Sequence, residues 1–177
     1  VSKSIFKTLE KKGYIEIKEH QIERNPFINK TIQPDEAKKL NEEQQKCFDS
    51  INFCIQNEEA SKHLIYGITG SGKTEIYLQL IGKVLEKGKS AIVLVPEISL
   101  TPQMVDRFLA RFGENVAVLH SKLSNGERFD EWQKIAFNEK KIVIGARSAI
   151  FAPVKNLGII IIDEEHDMSY KSDMTPR

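Results

Sequence analysis

The sequence has few of the residues that a protein stabilised by disulfides or spanning a membrane would need. Only two of its 177 residues are cysteines, and Cys47 and Cys54 match neither a zinc C-x-x-C pair nor a disulfide framework. The longest apolar run, Leu157 to Ile162, is far shorter than a membrane span, and the first residues do not form a signal peptide. We therefore expect a soluble intracellular protein with two buried free thiols and no membrane partner.

Neither sign of charge predominates. The 26 lysines and arginines nearly balance the 25 acidic residues, which leaves a formal net charge of +1. Any nucleic-acid surface must then be a local patch, because global charge does not provide one. The length allows one α/β domain with a substantial core and a short appendage, but no second full domain.

The first 39 residues lack the pattern of a complete domain. Residues 2–12 predict a short helix, and residues 14–18 alternate like an exposed strand. We interpret residues 1–24 as the C-terminal part of a winged-helix module, or alternatively as a docking arm. Residues 25–39 have no periodic apolar pattern and predict a linker.

From residue 40 onward, apolar strands alternate with amphipathic helices. Strands that are continuous apolar runs are usually buried on both faces, and strands separated by helices pair in parallel. Residues 40–177 are therefore predicted to form an α/β three-layer sandwich with a mostly parallel sheet. The predicted strands are 91–95, 116–119, 142–145 and 158–162, with a further strand-like run at 63–66.

Residues 67–74, Gly-Ile-Thr-Gly-Ser-Gly-Lys-Thr, match the phosphate-loop pattern G-x-x-x-x-G-K-[ST] between a strand-like and a helix-like segment. Glycines allow such a loop to surround phosphates with backbone N–H groups at the positive end of a helix. Lys73 would then contact the β- and γ-phosphates, and Thr74 would offer its hydroxyl to Mg²⁺. The predicted nucleotide-binding residues of the loop are Gly67, Thr69, Gly70, Ser71, Gly72, Lys73 and Thr74.

An acidic cluster follows the last predicted strand. In phosphate-loop enzymes a carboxylate at this position holds the Mg²⁺ already bound by the loop, which predicts that role for Asp163. Glu164 would orient and deprotonate the attacking water. The cluster could instead be a solvated turn, but the upstream phosphate loop favours Lys73, Asp163 and Glu164 as catalytic residues.

Three other polar residues have two interpretations each. Gln44 lies three residues after Asn41, the spacing of a helix capping box. His166 has no metal-ligand partner nearby in sequence and could be an ordinary surface residue. Arg147 could form a structural ion pair or contact a phosphate. Spacing alone decides none of these.

Five segments together resemble the PriA family of bacterial replication-restart helicases of superfamily 2, also called primosomal protein N′. The resemblance extends from about Leu40 to the C-terminus. Other superfamily 2 helicases share the phosphate loop and an Asp-Glu-x-His box, but lack the Val-Pro-Glu-Ile-Ser-Leu-Thr-Pro-Gln and Ala-Arg-Ser-Ala-Ile-Phe-Ala-Pro segments found here. The five segments are 67–77, 94–103, 119–124, 144–153 and 163–171.

The resemblance implies the first RecA-like lobe of an ATP-dependent 3′-to-5′ DNA helicase that uses ATP and Mg²⁺. It implies that Gln44 recognises adenine, although the same side chain can also cap a helix. It further implies that His166 couples the nucleotide site to the DNA-facing side. The residues implied to contact single-stranded DNA are Thr101, Gln103, Arg147 and Ser148.

The same resemblance implies single-stranded and forked DNA, together with primosome and replisome-loading proteins, as partners in the bacterial cytoplasm near the nucleoid. The sequence has no segment matching the family's second lobe, its arginine finger, its zinc-binding cysteines or its domain for the DNA 3′ end. We therefore expect a fragment that lacks the zinc ligands, binds MgATP or ADP weakly and turns over little. The alternatives are a branch-migration type of superfamily 2 translocase and a nucleotide-binding module without turnover.

Overall fold

Helices and strands alternate along residues 3–16 and 33–171, the parts of the chain that the computed structural model describes. Short 3₁₀ turns cover residues 113–115, 147–151 and 168–170. The helices are α1 (Lys3–Lys11), α2 (Glu42–Asn57), α3 (Lys73–Glu86), α4 (Pro102–Phe112) and α5 (Asn125–Ala136). The strands are β1 (Ser90–Leu94), β2 (Val116–Leu119), β3 (Ile142–Gly145) and β4 (Leu157–Ile162).

The four strands form one parallel sheet in the order β2-β3-β1-β4. The central strand β1 pairs with β3 on one side and with β4 on the other. Because the strands are parallel, their carboxyl ends lie along the same edge, where ligands of such sheets bind. The predicted parallel sheet is confirmed.

Helices cover both faces of this sheet. Helices α3 and α4 pack on one face around a core that includes Ile81, Val93 and Phe108. Helix α5 and the turn at residues 147–151 cover the other face. Helix α2 packs against α3 through a third apolar cluster, which Ile159 of β4 also contacts. The predicted three-layer α/β sandwich is confirmed, and α2 extends the outer layer.

Side-chain caps begin helices α2 and α4. The Asn41 side chain accepts a hydrogen bond from Gln44 N at 2.8 Å, and Gln44 Oε1 accepts one from Asn41 N at 2.9 Å. Thr101 Oγ1 accepts from Met104 N at 3.3 Å at the start of α4, where Pro102 occupies the first helical position. Each bond satisfies an N–H group for which the first turn has no intrahelical acceptor.

The expectation that every strand is buried on both faces is wrong for β4. Every residue of β1, β2 and β3 is buried, whereas Leu157, Ile160 and Ile162 of β4 are 44%, 44% and 49% exposed. Edge position alone is not the reason, because β2 at the opposite edge is fully buried. Among the described residues, the apolar cluster on the α5 face includes residues of β1, β2 and β3 but none of β4, so that face of β4 is left uncovered.

Two predicted strand segments are not strands. Residues 63–66, which are among the described residues, form no strand, and Tyr66 is 97% exposed. Residues 14–16 are likewise outside any strand, while residues 17 and 18 lie outside the described residues. An apolar or alternating run forms a strand only when it finds a pairing partner, which the run itself does not specify. The helix predicted at residues 2–12 is confirmed as α1.

Part of the predicted linker is held against the helices. Asp35 N donates to Ala110 O of α4 at 3.0 Å, although residues 33–41 form no regular structure. The remainder of the predicted linker, residues 25–32, lies outside the described residues. Cys47 and Cys54 are free thiols, but both are half-buried rather than fully buried. None of the described helices has the length and apolarity needed to cross a membrane.

Candidate nucleotide-binding site

An open groove of about 2300 Å³ brings together the phosphate loop and the acidic cluster. Single-ligand pockets usually enclose about 300–1,000 Å³, so a nucleotide would fill only part of this groove. The groove also continues along the exposed edge of β4. The predicted site residues that line it are Gly67, Thr69, Gly70, Ser71, Gly72, Lys73, Thr74, Gln103, Asp163, Glu164 and His166.

The phosphate loop needs glycine at two of its positions. Gly70 and Gly72 have φ angles of 82° and 83°, in the left-handed region that side chains with a Cβ rarely adopt. Gly72 is also the N-cap of α3, where an added Cβ would collide with Nε2 of Gln44. The shape of the loop therefore depends on the left-handed backbone at Gly70 and Gly72 and on the close contact between Gly72 and Gln44 of α2.

Lys73 and Thr74 begin α3 beside the loop. Lys73 Nζ donates to the carbonyl oxygens of Gly67 and Ile68, at 2.5 Å and 3.1 Å. The ammonium group thus already lies across the concave side of the loop. The first N–H groups of a helix have no intrahelical acceptor, so the start of α3 offers donors and a positive dipole end to an anion. This combination suits a polyphosphate.

Gln44 contacts the loop as well as capping its own helix. Its Oε1 completes the capping box with Asn41, while its Nε2 donates to Ser71 O at 2.8 Å. The capping interpretation is thereby confirmed. Recognition of adenine by Gln44 stays a prediction, but the amide already links α2 to the phosphate loop.

Asp163 lies where β4 ends, and two tyrosines orient it. Asp163 N donates to Leu94 O at 2.9 Å, which extends the pairing of β4 with β1 by one residue. Tyr77 OH donates to Asp163 Oδ1 at 3.3 Å, and Tyr170 OH donates to the Asp163 carbonyl at 2.9 Å. Burial, followed by the charge and hydrogen bond of Asp163, raises the pKa of Tyr77 far above its ordinary value. Tyr77 therefore stays a neutral donor to the carboxylate.

Glu164 adopts an unusual backbone conformation for a glutamate. Its φ is 48°, and non-glycine residues in this region commonly occur at functional sites. The side chain is exposed to the groove and accepts a hydrogen bond from Ser99 Oγ at 3.2 Å. Glu164 is thus accessible to solvent and oriented by one neutral donor, the combination that a base acting on water needs.

The predicted DNA-contacting residues before α4 lie at the carboxyl edge of the sheet. Thr101 caps α4 with its hydroxyl, and Gln103 in the first turn is exposed and lines the groove. Gln103 is therefore near the nucleotide-binding residues, whereas Thr101 lies outside the groove lining.

Of the remaining DNA candidates, only one lines the groove. Arg147 Nη1 donates to Lys171 O at 2.7 Å, and Arg147 and Ser148 both lie outside the groove lining. His166 is exposed and lines the groove. Arg147 thus has a structural hydrogen bond but no ion pair among the described residues, and contact with phosphate stays a prediction.

The residues present fit a magnesium ion that arrives with a nucleotide. The Thr74 hydroxyl and the Asp163 carboxylate are hard oxygen donors that line the same groove. The described ranges contain no group of three or more histidine, cysteine or acidic residues suited to holding a metal alone. Mg²⁺ usually takes only one or two carboxylates and completes its shell with phosphate oxygens and water. Thr74 and Asp163 would provide a protein contribution of that size.

Comparison with known proteins establishes the family. The family model described as "Type III restriction enzyme, res subunit" matches residues 37–175. Replication restart protein PriA of Bacillus subtilis (strain 168) is 54% identical over 176 residues, which cover 99% of this chain and 22% of that protein. The chain belongs to the PriA family. PriA of Synechocystis sp. is 47% identical and PriA of Chlamydia pneumoniae 46%, each over 99% of this chain.

The chain spans about a fifth of the length of these PriA relatives. Each of them is named replication restart protein PriA, which confirms the resemblance of the five sequence segments to the PriA family. The solved UvsW helicase from bacteriophage T4 aligns with 92% of this chain and 60% of that one, at 18% identity and a TM-score of 0.45. That likeness is too weak to support a conclusion.

Sequence reasoning missed two of the residues that orient the PriA-family site. Ser99 is part of the segment 94–103 quoted for the resemblance, but nothing in its spacing indicated Glu164 as its partner. Tyr77 is likewise part of the quoted segment 67–77, but its contact with Asp163 joins residues 86 positions apart. Long-range pairs of this kind have no local sequence signal.

Proposed function

We propose that this chain is the ATP-binding lobe of an ATP-hydrolysing DNA helicase of replication restart. The observation that carries the proposal is the single groove lined by the phosphate loop, Asp163 and Glu164 in a chain of the PriA family. Phosphate binding requires the loop half of that groove, and hydrolysis requires both halves. Hydrolysis would drive 3′-to-5′ translocation on single-stranded DNA in the intact protein.

The proposed roles follow from the chemistry of the side chains. Lys73 neutralises the β- and γ-phosphates, and Thr74 and Asp163 hold Mg²⁺. When bound, Mg²⁺ neutralises the charge that develops on the transferred phosphoryl group. Glu164 orients a water molecule and accepts its proton, while the Ser99 hydroxyl keeps the carboxylate facing the groove.

The proposed DNA partner is single-stranded or forked DNA. Thr101 and Gln103 at the start of α4 and Arg147 and Ser148 after β3 would contact its phosphates, and His166 would couple those contacts to the nucleotide. A helix N-terminus and an arginine suit a polynucleotide backbone because both attract phosphate without reading sequence. We further propose primosome and replisome-loading proteins as partners, and a cytoplasmic location with the DNA.

A nucleotide-binding module without turnover is the second candidate for this chain on its own. The observation that favours it is the open acidic side, because Asp163 and Glu164 follow an exposed edge strand. We also propose that residues 1–24 end a winged-helix module and that residues 40–177 form the lobe.

The test is ATP hydrolysis by the intact protein with and without single-stranded DNA. The proposal predicts that DNA stimulates hydrolysis and that Lys73→Ala abolishes it. Hydrolysis that is insensitive to DNA would contradict the helicase function. Unwinding of forks with and without a 3′ leading end distinguishes restart activity from branch migration.

A further inference from the structure

Arg111 in the last turn of α4 joins three parts of the chain. Its side chain is 9% exposed. Nη1 and Nη2 donate to the two carboxylate oxygens of Glu75 at 3.2 Å and 3.1 Å. Nη2 also donates to Asp35 Oδ2 at 2.8 Å and to Glu36 O at 2.9 Å. We refer to Arg111, Glu75 and Asp35 as the Arg111 cluster.

The Glu75 branch of the cluster reaches the phosphate loop directly. Glu75 follows Thr74 in the first turn of α3, and its Oε1 also accepts from Gln79 Nε2 at 2.8 Å and Lys38 N at 3.0 Å. Burial would raise the pKa of Glu75, but the hydrogen bonds from Arg111, Gln79 and Lys38 lower it overall. A charged carboxylate bonded on both oxygens fixes the rotation of the first turn of α3.

The Asp35 branch reaches the same loop by a second path. Asp35 and Glu36 lie a few residues before Asn41, which caps α2, and Gln79 Nε2 also donates to Lys38 O at 2.7 Å. Helix α2 in turn presents Gln44, whose Nε2 donates to Ser71 O in the loop. The cluster therefore holds both elements that border the phosphate loop, α3 and the segment leading into α2.

We propose that Arg111 is a positioning residue of the nucleotide site, which presents Lys73 and Thr74 to phosphate by fixing the start of α3 and residues 35–38. The inference rests on the proposed nucleotide-binding function. Arg111 does not itself contact nucleotide in this account. It acts through Glu75 on one side and through Asp35 and α2 on the other.

Stabilisation of the fold alone is a weak reason for a buried ion pair at this position. Replacing a buried ion pair with apolar groups of similar volume is often neutral for stability, because burying the charges already costs solvation energy. Arg111 Nε is, within the described residues, the one buried side-chain nitrogen or oxygen without a hydrogen-bond partner, which adds to that cost. Stability alone therefore accounts poorly for an arginine here, and binding geometry is the property to measure.

The test is equilibrium binding of a fluorescent ATP analogue with Mg²⁺ to the intact protein. Arg111→Met should raise the Kd about 10–100-fold, as loss of supporting contacts does at other sites, with Arg111→Lys between it and wild type. Arg128→Met removes an exposed arginine from α5 and should leave the Kd unchanged. Unfolding temperatures, measured alongside, show whether any loss of binding merely follows loss of fold.

Two further variants keep the test decisive if Arg111→Met fails to fold. Glu75→Gln and Asp35→Asn each cut one branch of the cluster and should each raise the Kd. Wild-type Kd values in folded Arg111→Met, or in both branch variants, would overturn the inference while the proposed function stands. Absence of nucleotide binding by wild type would overturn the proposed function and the inference with it.

Discussion

The two sides of the candidate site are held in different ways. The loop side, residues 67–74, leads into the buried helix α3 and is fixed by Gln44 and the Arg111 cluster. The acidic side, residues 163–166, follows the exposed edge strand β4. Single hydroxyl groups orient its carboxylates, from Tyr77 to Asp163 and from Ser99 to Glu164.

This difference separates two properties of the site. Loop-side geometry depends on charged and amide hydrogen bonds within one packed layer, so damage there should first weaken nucleotide binding. Acidic-side geometry depends on single hydroxyl donors, so loss of the Glu164 carboxylate or of the Tyr77 hydroxyl should slow hydrolysis and leave nucleotide binding largely intact. The predictions below test this difference between the loop side and the acidic side, or the difference in burial between the strands of the sheet.

The largest expected effect is on hydrolysis by Glu164→Gln. Loss of a general base should lower the rate about 10²–10⁴-fold, while the amide leaves phosphate and metal contacts in place. Steady-state hydrolysis and ATP-analogue binding measure the two quantities. Glu165→Gln, a neighbouring exposed glutamate, serves as the matched control and should change neither. Loss of binding in Glu164→Gln would instead assign Glu164 a structural role.

The second prediction compares the same substitution in a buried and an exposed strand. Ile144→Ala in β3 should lower the free energy of unfolding by about 2–5 kcal/mol, because Ile144 is fully buried. Ile160→Ala in β4 should cost less than about 1 kcal/mol, because much of that side chain already contacts water. Denaturant unfolding measures both. Equal losses would show that the edge of β4 is covered in solution.

These pairs show what the sequence could predict. The glycine pattern of residues 67–74 and the Asn41–Gln44 spacing are local signals, so the sequence could indicate the loop and a capping box, and the capping box is present at the start of α2. The exposure of β4 depends on which elements cover its faces, and its own apolar run does not specify them. Arg111 and Glu75 are 36 positions apart, and each looks like an ordinary terminal charge on its own helix.

The third prediction concerns the hydroxyl contact to Asp163. Tyr77→Phe removes the hydroxyl but keeps the buried ring, so it should lower hydrolysis only about 2–10-fold, because the 3.3 Å hydrogen bond is long and therefore weak. A fit of hydrolysis rate against ATP concentration separates kcat from KM. The decrease should lie in kcat, and an effect confined to KM would contradict the assignment of Tyr77 to the acidic side.

The smallest expected effect is the pH dependence of the loop side. The pKa of Glu75 is lowered in the folded protein, so the unfolded chain takes up the proton first as pH falls. The stabilisation is fully present above the ordinary carboxyl pKa and is lost as pH falls through the lowered value. Unfolding free energy should therefore decrease less for Glu75→Gln than for wild type between about pH 6 and pH 3. An equal decrease of the unfolding free energy with pH in wild type and Glu75→Gln would contradict a lowered pKa of Glu75.

The central claim is that Thr74 and Asp163 together hold the metal that accompanies a nucleotide. The most direct measurement is Mn²⁺ binding by electron paramagnetic resonance, with and without ATP, in the intact protein and in Thr74→Ala and Asp163→Asn. The account predicts ATP-dependent Mn²⁺ binding that each substitution weakens about 10–100-fold. Mn²⁺ binding that is independent of ATP, or unchanged by both substitutions, would contradict it.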